Sequence, residues 1–508
     1  MFCDELDLLI GEMFIFGFAG QKVNRELKEW YQQCPAGGLI LMGRNLKNVH
    51  QVQQLTRELR EMAGEVRPEK ELLLAVDQEG GSLSPLRGMV TGLPGNMGLA
   101  ATGRPDAAYW AGYTTGSELR ELGFNLDFAP VVDLILDDNL VVGTRSFGSN
   151  PEIVAKFGRE FAEGLSDAGV LSSLKHFPGH GSCKEDSHLS LPKCYKKLEE
   201  LSKEDLAPFT ALLSTRGVSI MMAHVIYQAF DEEAPASLSP KVNHFLREAL
   251  EFQGVIITDC LEMQAIQAAV NHHTEAVVRA IIAGNDQVLI CHTPQVQKDS
   301  IAAVKKAVRE RRISLEQLEA SSKRIKLWKE SVSRKSSIKI KSSAWSAESL
   351  AAETVTYLSQ ENAWEFDKTP LTLIIPQLEQ ITCPEIIASL DVLYEYLEAV
   401  GVNVQRLEIE NNPSEERQQE LLTVPQNSKI VFVLSNPTAA KGQVELIRRL
   451  AMKNHVMLVS VRAPMEVRNL ALKSPILFTY STEPLMMKAL ARVLAGELQP
   501  KGRLPIIL

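Results

Sequence analysis

The densest run of reactive side chains is Lys175-His176-Phe177-Pro178-Gly179-His180-Gly181-Ser182-Cys183-Lys184-Glu185-Asp186-Ser187-His188. Pro178, Gly179 and Gly181 make this run a loop, so the i, i+4 spacing of His176 and His180 has no helical basis as a zinc pair. A folded loop could still gather His176, His180, Asp186 and His188 around a metal, but nothing in the spacing asks for one. Asp186 and His188 carry a more specific signal. Two residues apart, they can share a hydrogen bond if the loop bends between them. A carboxylate on one imidazole nitrogen fixes the tautomer and supports the protonated ring, leaving the other nitrogen to give and take a proton. Asp259, at the end of the apolar run Val255–Thr258, is a second, separately placed carboxylate. A nucleophilic carboxylate and a proton donor are the minimum set for cleaving a glycosidic bond with retention.

These residues need a scaffold that brings distant strand ends together. Eight short apolar runs recur in the first 300 residues: Met13–Phe18, Gly38–Leu41, Leu72–Asp77, Leu126–Ala129, Ser172–His176, Ser219–Ala223, Val255–Thr258 and Gln287–Cys291. Amphipathic stretches such as Ala107–Leu122, Pro151–Ala168 and Lys241–Leu250 separate them. Strands alternating with helices in that number predict an α/β fold with an N-terminal (β/α)8 barrel over residues 1–328; an open doubly wound sheet is the alternative. In such a barrel chemistry sits at the C-terminal ends of the strands, where Asp77, Lys175-His176, His224 and Asp259 all fall. A lone strand-end Asp is more often a turn or helix cap, so the weight lies in their convergence on one face.

A Lys/Ser-rich stretch at 329–346 reads as a linker. The alternation then restarts with Leu371–Ile375, Val402–Ile409, Ile430–Leu434, Val456–Val461 and Ile476–Tyr480, which predicts a smaller C-terminal α/β sandwich over 347–508 with a mostly parallel sheet. No ordered catalytic motif falls in this second part, so its expected role is structural.

A chain of 508 residues, 45% hydrophobic and 23% charged, has the composition of a globular protein with more than one core. The net charge of -9 argues against a nucleic-acid partner. Seven scattered cysteines with no CxxC pair suit free thiols in a reducing compartment. Asp4, Glu5 and Asp7 stand where a signal peptide needs basic residues, and Met13–Phe18 is too short for a membrane span. The expectation is a cytoplasmic protein with no membrane partner, and a monomer.

Asp77-Gln-Glu-Gly-Gly81, Lys175-His-Phe-Pro-Gly-His-Gly181, Asp186-Ser-His188 and Thr258-Asp-x-Leu-x-Met263 resemble, in this order, the motifs of glycoside hydrolase family 3 in its bacterial β-N-acetylglucosaminidase (NagZ-type) branch. Met13–Gly17, Gly37–Leu41, Asn125–Asp133 and Arg145–Phe147 add to the match, as do Gly496-Glu497 and Lys501–Pro505 near the end of the second domain. The resemblance implies that Asp259 is the nucleophile that forms a glycosyl-enzyme ester. It implies that His188 is the acid/base, oriented by Asp186. It assigns Asp77, Arg145, Lys175 and His176 to the hydroxyls of the reacting sugar, and implies no metal or organic cofactor. The substrate it implies is a terminal β-linked N-acetylglucosamine, from peptidoglycan-derived fragments such as muropeptides.

Two places depart, the smaller being Ser182-Cys183 where Asp-Thr is common. The family continues Asp-Gln-Glu-Gly-Gly with Arg-Val-x-Arg, the second Arg being a sugar ligand, whereas this chain reads Ser82-Leu83-Ser84-Pro85. Proline offers no charge and no donor. Either Arg87 substitutes from a shifted loop or the ligand is lost. Three other readings therefore stand beside hydrolysis: a phosphorylase using the same intermediate, since a histidine repels phosphate less than a carboxylate does; a sugar-binding protein without catalysis; and a metallohydrolase built on the His-rich loop.

Overall fold

In a computed structural model, the apolar runs of the N-terminal part are strands buried along almost their whole length. The structure describes residues 5–68, 70–136, 139–183, 185, 187, 189–332, 345–359, 364–378, 389–468, 470–471 and 473–508. In chain order the strands are β1 (Phe14–Gly17), β2 (Gly38–Ile40), β3 (Leu73–Val76), β4 (Leu126–Asp127), β5 (Leu171–Phe177), β6 (Lys193–Cys194), β7 (Val218–Met222), β8 (Ile226–Tyr227), β9 (Ile256–Cys260) and β10 (Gln287–Ile290). Eight of them close a parallel barrel in the order β1-β2-β3-β4-β5-β7-β9-β10, with β10 returning to β1 through Phe14↔Val288 and Phe16↔Ile290. The short β6 and β8 form a separate parallel pair outside it. The closed barrel is the expected fold, and the open sheet is excluded.

Barrel strands are covered on both faces, which is why they read as continuous apolar runs. Among the described residues, Asp259 is the one position in these eight strands that is not buried. The covering helices show the 3.6-residue period: Val49–Val66 buries Val52, Leu55, Thr56, Leu59, Met62 and Ala63, and starts where the Asn48 side chain accepts from Gln51 N. Helices Pro105–Glu121 and Pro151–Asp167 approach so closely that a Cβ on Gly112 would stand 2.1 Å from the Phe161 carbonyl oxygen. The expected helix over Lys241–Leu250 is instead a short α-helix, Pro240–His244, followed by a π-turn at Phe245–Ala249.

Helix Leu315–Ser331 continues past Lys329, where the linker was expected to begin. Lys329 Nζ is 2.7 Å from Glu12 Oε1 and donates to the Glu71 carbonyl at 2.8 Å, which ties this helix to the first one, Glu5–Glu12. Residues 333–344 of the expected linker lie outside the described residues. Helix Ala347–Thr354, capped by Ser346, opens the second unit.

The second sheet comprises β11 (Thr356–Leu358), β12 (Leu371–Pro376), β13 (Val404–Ile409), β14 (Lys429–Leu434), β15 (His455–Ser460) and β16 (Ile476–Phe478). Its order is β11-β16-β15-β14-β12-β13, parallel except for β11. The five expected strands are there; β11 is an added antiparallel edge. One face of this sheet packs on the barrel, where Met97, Ala101 and Ile135 join a core with Ile374, Phe432, Leu458 and Phe478. The tail joins both units: Gly502 N donates to Val355 O at 3.0 Å and Arg503 N to Ala101 O at 2.8 Å. No helix among the described residues is long and apolar enough to cross a membrane.

Candidate active site

The C-terminal ends of β3, β5 and β9 bring Asp77, Lys175, His176 and Asp259 into one charged cluster. Lys175, on β5, places its ammonium 2.8 Å from Asp77 Oδ1 and 2.6 Å from Glu79 Oε1. Arg145 closes a fork on the same Glu79, Nε to Oε2 at 2.8 Å and Nη2 to Oε1 at 2.9 Å. Burial alone would raise the Glu79 carboxyl, but Arg145 and Lys175 more than reverse this and hold it at about 2. Burial likewise works against the Lys175 charge, and Asp77 and Glu79 raise its pKa above the ordinary lysine value. Two cations and two carboxylates thus form a compensated frame.

A second frame holds His176. Asp133, fully buried after β4, accepts from His176 N at 3.0 Å, from His180 N at 2.7 Å, and bonds His176 Nδ1 at 2.8 Å. Burial opposes the Asp133 charge, but His176 and His180 hold its carboxyl below the usual range. With Nδ1 committed to Asp133, the Nε2 edge of His176 faces Asp259, 3.9 Å from Oδ2. Asp259 Oδ1 accepts from the Cys260 N–H at 2.6 Å. The Cys260 carbonyl is in turn bonded to His224 Nε2 at 2.9 Å; a carbonyl only accepts, so Nε2 carries the proton and the Ser237 hydroxyl meets Nδ1 at 2.8 Å.

Exposure separates the reactive carboxylates from the structural ones. The side chains of Glu79 and Asp133 are 1% and 0% exposed, whereas Asp77 and Asp259 are 30% and 21% exposed. Only the second pair can meet a ligand from the open end of the barrel. Asp127 is also fully buried; burial pushes its carboxyl well above the ordinary value, and it accepts from Gln78 N at 2.9 Å.

Asp186 and His188 lie outside the described residues. Ser187, between them, is described: its carbonyl accepts from Ala265 N at 3.3 Å, on the helix that follows Asp259, and its hydroxyl is 3.3 Å from His180 Nε2. Burial lowers the His180 pKa, so this ring is neutral. Among the described residues no cluster of three His, Cys, Asp or Glu could hold a metal ion.

Glu79, Asp133 and Glu483 go beyond the residues that the sequence marks as candidates. Glu79 sits inside the Asp77-Gln-Glu motif, and Asp133 ends the Asn125–Asp133 match, so both had a motif to flag them. Glu483 had none.

Residues 5–327 match the description "Glycosyl hydrolase family 3 N terminal domain", well over half of the chain. The chain belongs to glycoside hydrolase family 3. It is 36% identical over 299 residues to a protein named beta-hexosaminidase from Methylococcus capsulatus, covering 57% of this chain and 86% of that one. Among solved structures it resembles a family 3 beta-N-acetylglucosaminidase from Paenibacillus sp. str. FPU-7, with TM-score 0.90 and 33% identity over 100% of this chain and 99% of that one. A fungal multi-domain family 3 beta-N-acetylglucosaminidase aligns at TM-score 0.87 and 28% identity, covering 99% of this chain and 61% of that one.

With Pro85 where the family has its second Arg, Arg87 is the nearest arginine in sequence. Arg87 Nε donates to Glu483 Oε1 at 2.7 Å, at the start of the second unit's last helix, and Nη2 donates to Gly81 O at 2.9 Å. Burial raises the Glu483 carboxyl, and Arg87 works against that rise. A Cβ on Gly92 would stand 2.6 Å from Glu483 Oε2. Arg87 therefore fastens the loop after β3 to the second unit.

Proposed function

We propose that this protein is a retaining exo-β-N-acetylglucosaminidase that removes terminal β-linked N-acetylglucosamine through a covalent intermediate on Asp259. The observation that carries the proposal is Asp259 itself, the half-buried carboxylate in an otherwise buried set of barrel strands, beside His176. The names of the Methylococcus and Paenibacillus relatives support the sugar assignment.

In the first step an Asp259 oxygen bonds to the anomeric carbon while the bond to the leaving oxygen breaks. His188, oriented by Asp186, gives its proton to that oxygen. In the second step water attacks the ester, its proton passes to His188, and Asp259 is released as the carboxylate. Asp77, Lys175, His176 and Arg145 face the sugar hydroxyls or hold those that do. Fixed charges here stabilise the developing oxocarbenium ion without reorganising during the reaction. The expected natural substrates are peptidoglycan-derived fragments, acted on in the cytoplasm.

The test is nitrophenol release from 4-nitrophenyl N-acetyl-β-glucosaminide by wild type and Asp259→Gly. Wild-type turnover, with a loss of about 10³-fold or more in the variant, supports the assignment. A wild type that binds the sugar without turnover would make this a sugar-binding protein, and turnover accelerated by added phosphate would make it a phosphorylase.

A further inference from the structure

Two cysteines bracket the segment that carries Asp186 and His188. Cys183 and Cys194 are 1% and 2% exposed, and their thiols are in hydrogen-bond contact. Each is anchored from its own side. Cys183 N closes a turn on His180 O at 3.2 Å, and the Cys183 carbonyl accepts from Asn139 Nδ2 at 2.5 Å. Cys194 lies in β6 opposite Tyr227 of β8, and its carbonyl accepts from Gln228 N at 3.1 Å. The Tyr227 hydroxyl donates back to Gly179 O at 2.7 Å, so both cysteines belong to one packed unit.

The two sulfurs are not equivalent. The contact with Cys183 lowers the Cys194 thiol, and the backbone N–H of Lys196 helps to lower it. Donating to Cys194 and being buried both raise the Cys183 thiol. Lys196 adds a nearby cation, its ammonium 3.3 Å from Asp205 Oδ2. This is the polarity of a reactive thiol pair, with Cys194 as the more acidic of the two. Although both sulfurs are buried, Leu189 and Tyr195 beside them are 67% and 70% exposed. Cys194 lies in a strand of two residues, Lys193–Cys194, whose first residue is exposed, and access to the sulfurs takes a local opening of this edge. Neither thiol has a part in the chemistry above.

We propose that Cys183 and Cys194 form a modification site, a reversible disulfide that ties together the two ends of the segment bearing the acid/base pair. Its effect on catalysis rests on the assignment of Asp186 and His188 given above; the pairing itself does not. The oxidant is a small-molecule disulfide of the glutathione class. Cys194 gives its proton to solvent and attacks one of the oxidant's sulfurs as the thiolate, forming a mixed disulfide and releasing one thiolate. That thiolate takes the Cys183 proton; Cys183 then attacks Cys194 Sγ and releases the second thiolate, to which solvent returns the proton taken from Cys194. Two protein thiols are oxidised and one disulfide is reduced to two thiols.

General acid help is needed most by poor leaving groups. Oxidation is therefore expected to lower kcat/KM about 10-fold or more for a β-linked N-acetylglucosamine disaccharide. For the 4-nitrophenyl glycoside, whose leaving group departs without a proton, the fall is less than about 3-fold.

The experiment treats the full chain with glutathione disulfide, maps disulfides by peptide mass, and assays both substrates before and after reduction with dithiothreitol. A linked Cys183–Cys194 peptide, with a reversible loss confined mainly to the disaccharide and absent from Cys194→Ser and Cys183→Ala, is the expected result. Cys260, at the end of β9, and Cys291, just after β10, are a second contacting pair and make the map informative. A link there and none between Cys183 and Cys194 overturns the proposal, as does a Cys183–Cys194 link that leaves disaccharide cleavage unchanged. A reduced wild type inactive on both substrates would count against the proposed function, while the peptide map would still decide the pairing.

Discussion

Replacing Glu79 by Gln should destabilise the barrel strongly at neutral pH and hardly at all in strong acid. The carboxylate is 1% exposed, forked by Arg145 and contacted by the Lys175 ammonium. Glutamine keeps the shape but leaves two buried cations with Asp77 as their remaining carboxylate partner in this frame. The gap from the ordinary value of 4.5 to about 2, at about 1.4 kcal/mol per pH unit, corresponds to about 3 kcal/mol. Removing one partner of a buried pair costs about 3–5 kcal/mol by an independent route. The sign follows from linkage. A carboxyl depressed by folding contributes stability that is fully present above its unfolded pKa and is lost as pH falls through the folded one. Urea unfolding of wild type and Glu79→Gln should therefore differ by about 3 kcal/mol at pH 7, and the difference should close between about pH 4.5 and pH 2. Equal midpoints at pH 7, or a difference that grows in acid, would refute the compensated frame.

Arg87→Ala should destabilise the chain by about 3 kcal/mol by leaving the Glu483 carboxylate buried and unpaired, whereas Arg87→Ala with Glu483→Gln should recover much of the loss; additive effects in urea unfolding would contradict the pairing. Asp133→Asn can still accept from both histidine backbones through one oxygen but turns an amide N–H toward His176 Nδ1 and so reverses that ring's tautomer; kcat/KM should fall about 10²-fold with little change in the folded content seen by circular dichroism. Unchanged steady-state kinetics would remove Asp133 from the positioning role. Gly112→Ala puts a methyl where the Phe161 carbonyl stands and should cost about 1–3 kcal/mol, read as a lower urea midpoint.

All eight barrel strands were legible because parallel strands covered on both faces are uninterrupted apolar runs, and the cluster at their ends was legible because Asp77, Lys175-His176 and Asp259 each follow such a run. β11 was not, since three residues, Thr356–Leu358, carry no pattern and depend on pairing with β16. The π-turn at Phe245–Ala249 keeps the periodicity of a helix in sequence and departs from it only in the folded chain. Glu79 and Asp133 stand in motifs, yet their roles as buried anchors depend on Arg145, Lys175 and His176 arriving from other strands. The Arg87–Glu483 bond joins residues 396 apart, beyond any local signal. Glu483, through which the second unit reaches the loop after β3, stands in no motif.

The account turns on Asp259 forming a bond to sugar. Incubating the protein with a slow fluorinated N-acetylglucosaminide, followed by proteolysis and peptide mass measurement, tests this directly. The expected result is a peptide containing Asp259 heavier by one glycosyl group, released slowly in water and absent from Asp259→Gly. A glycosyl group on any other residue, or substrate turnover with no labelled peptide and inversion at the anomeric carbon, would contradict it.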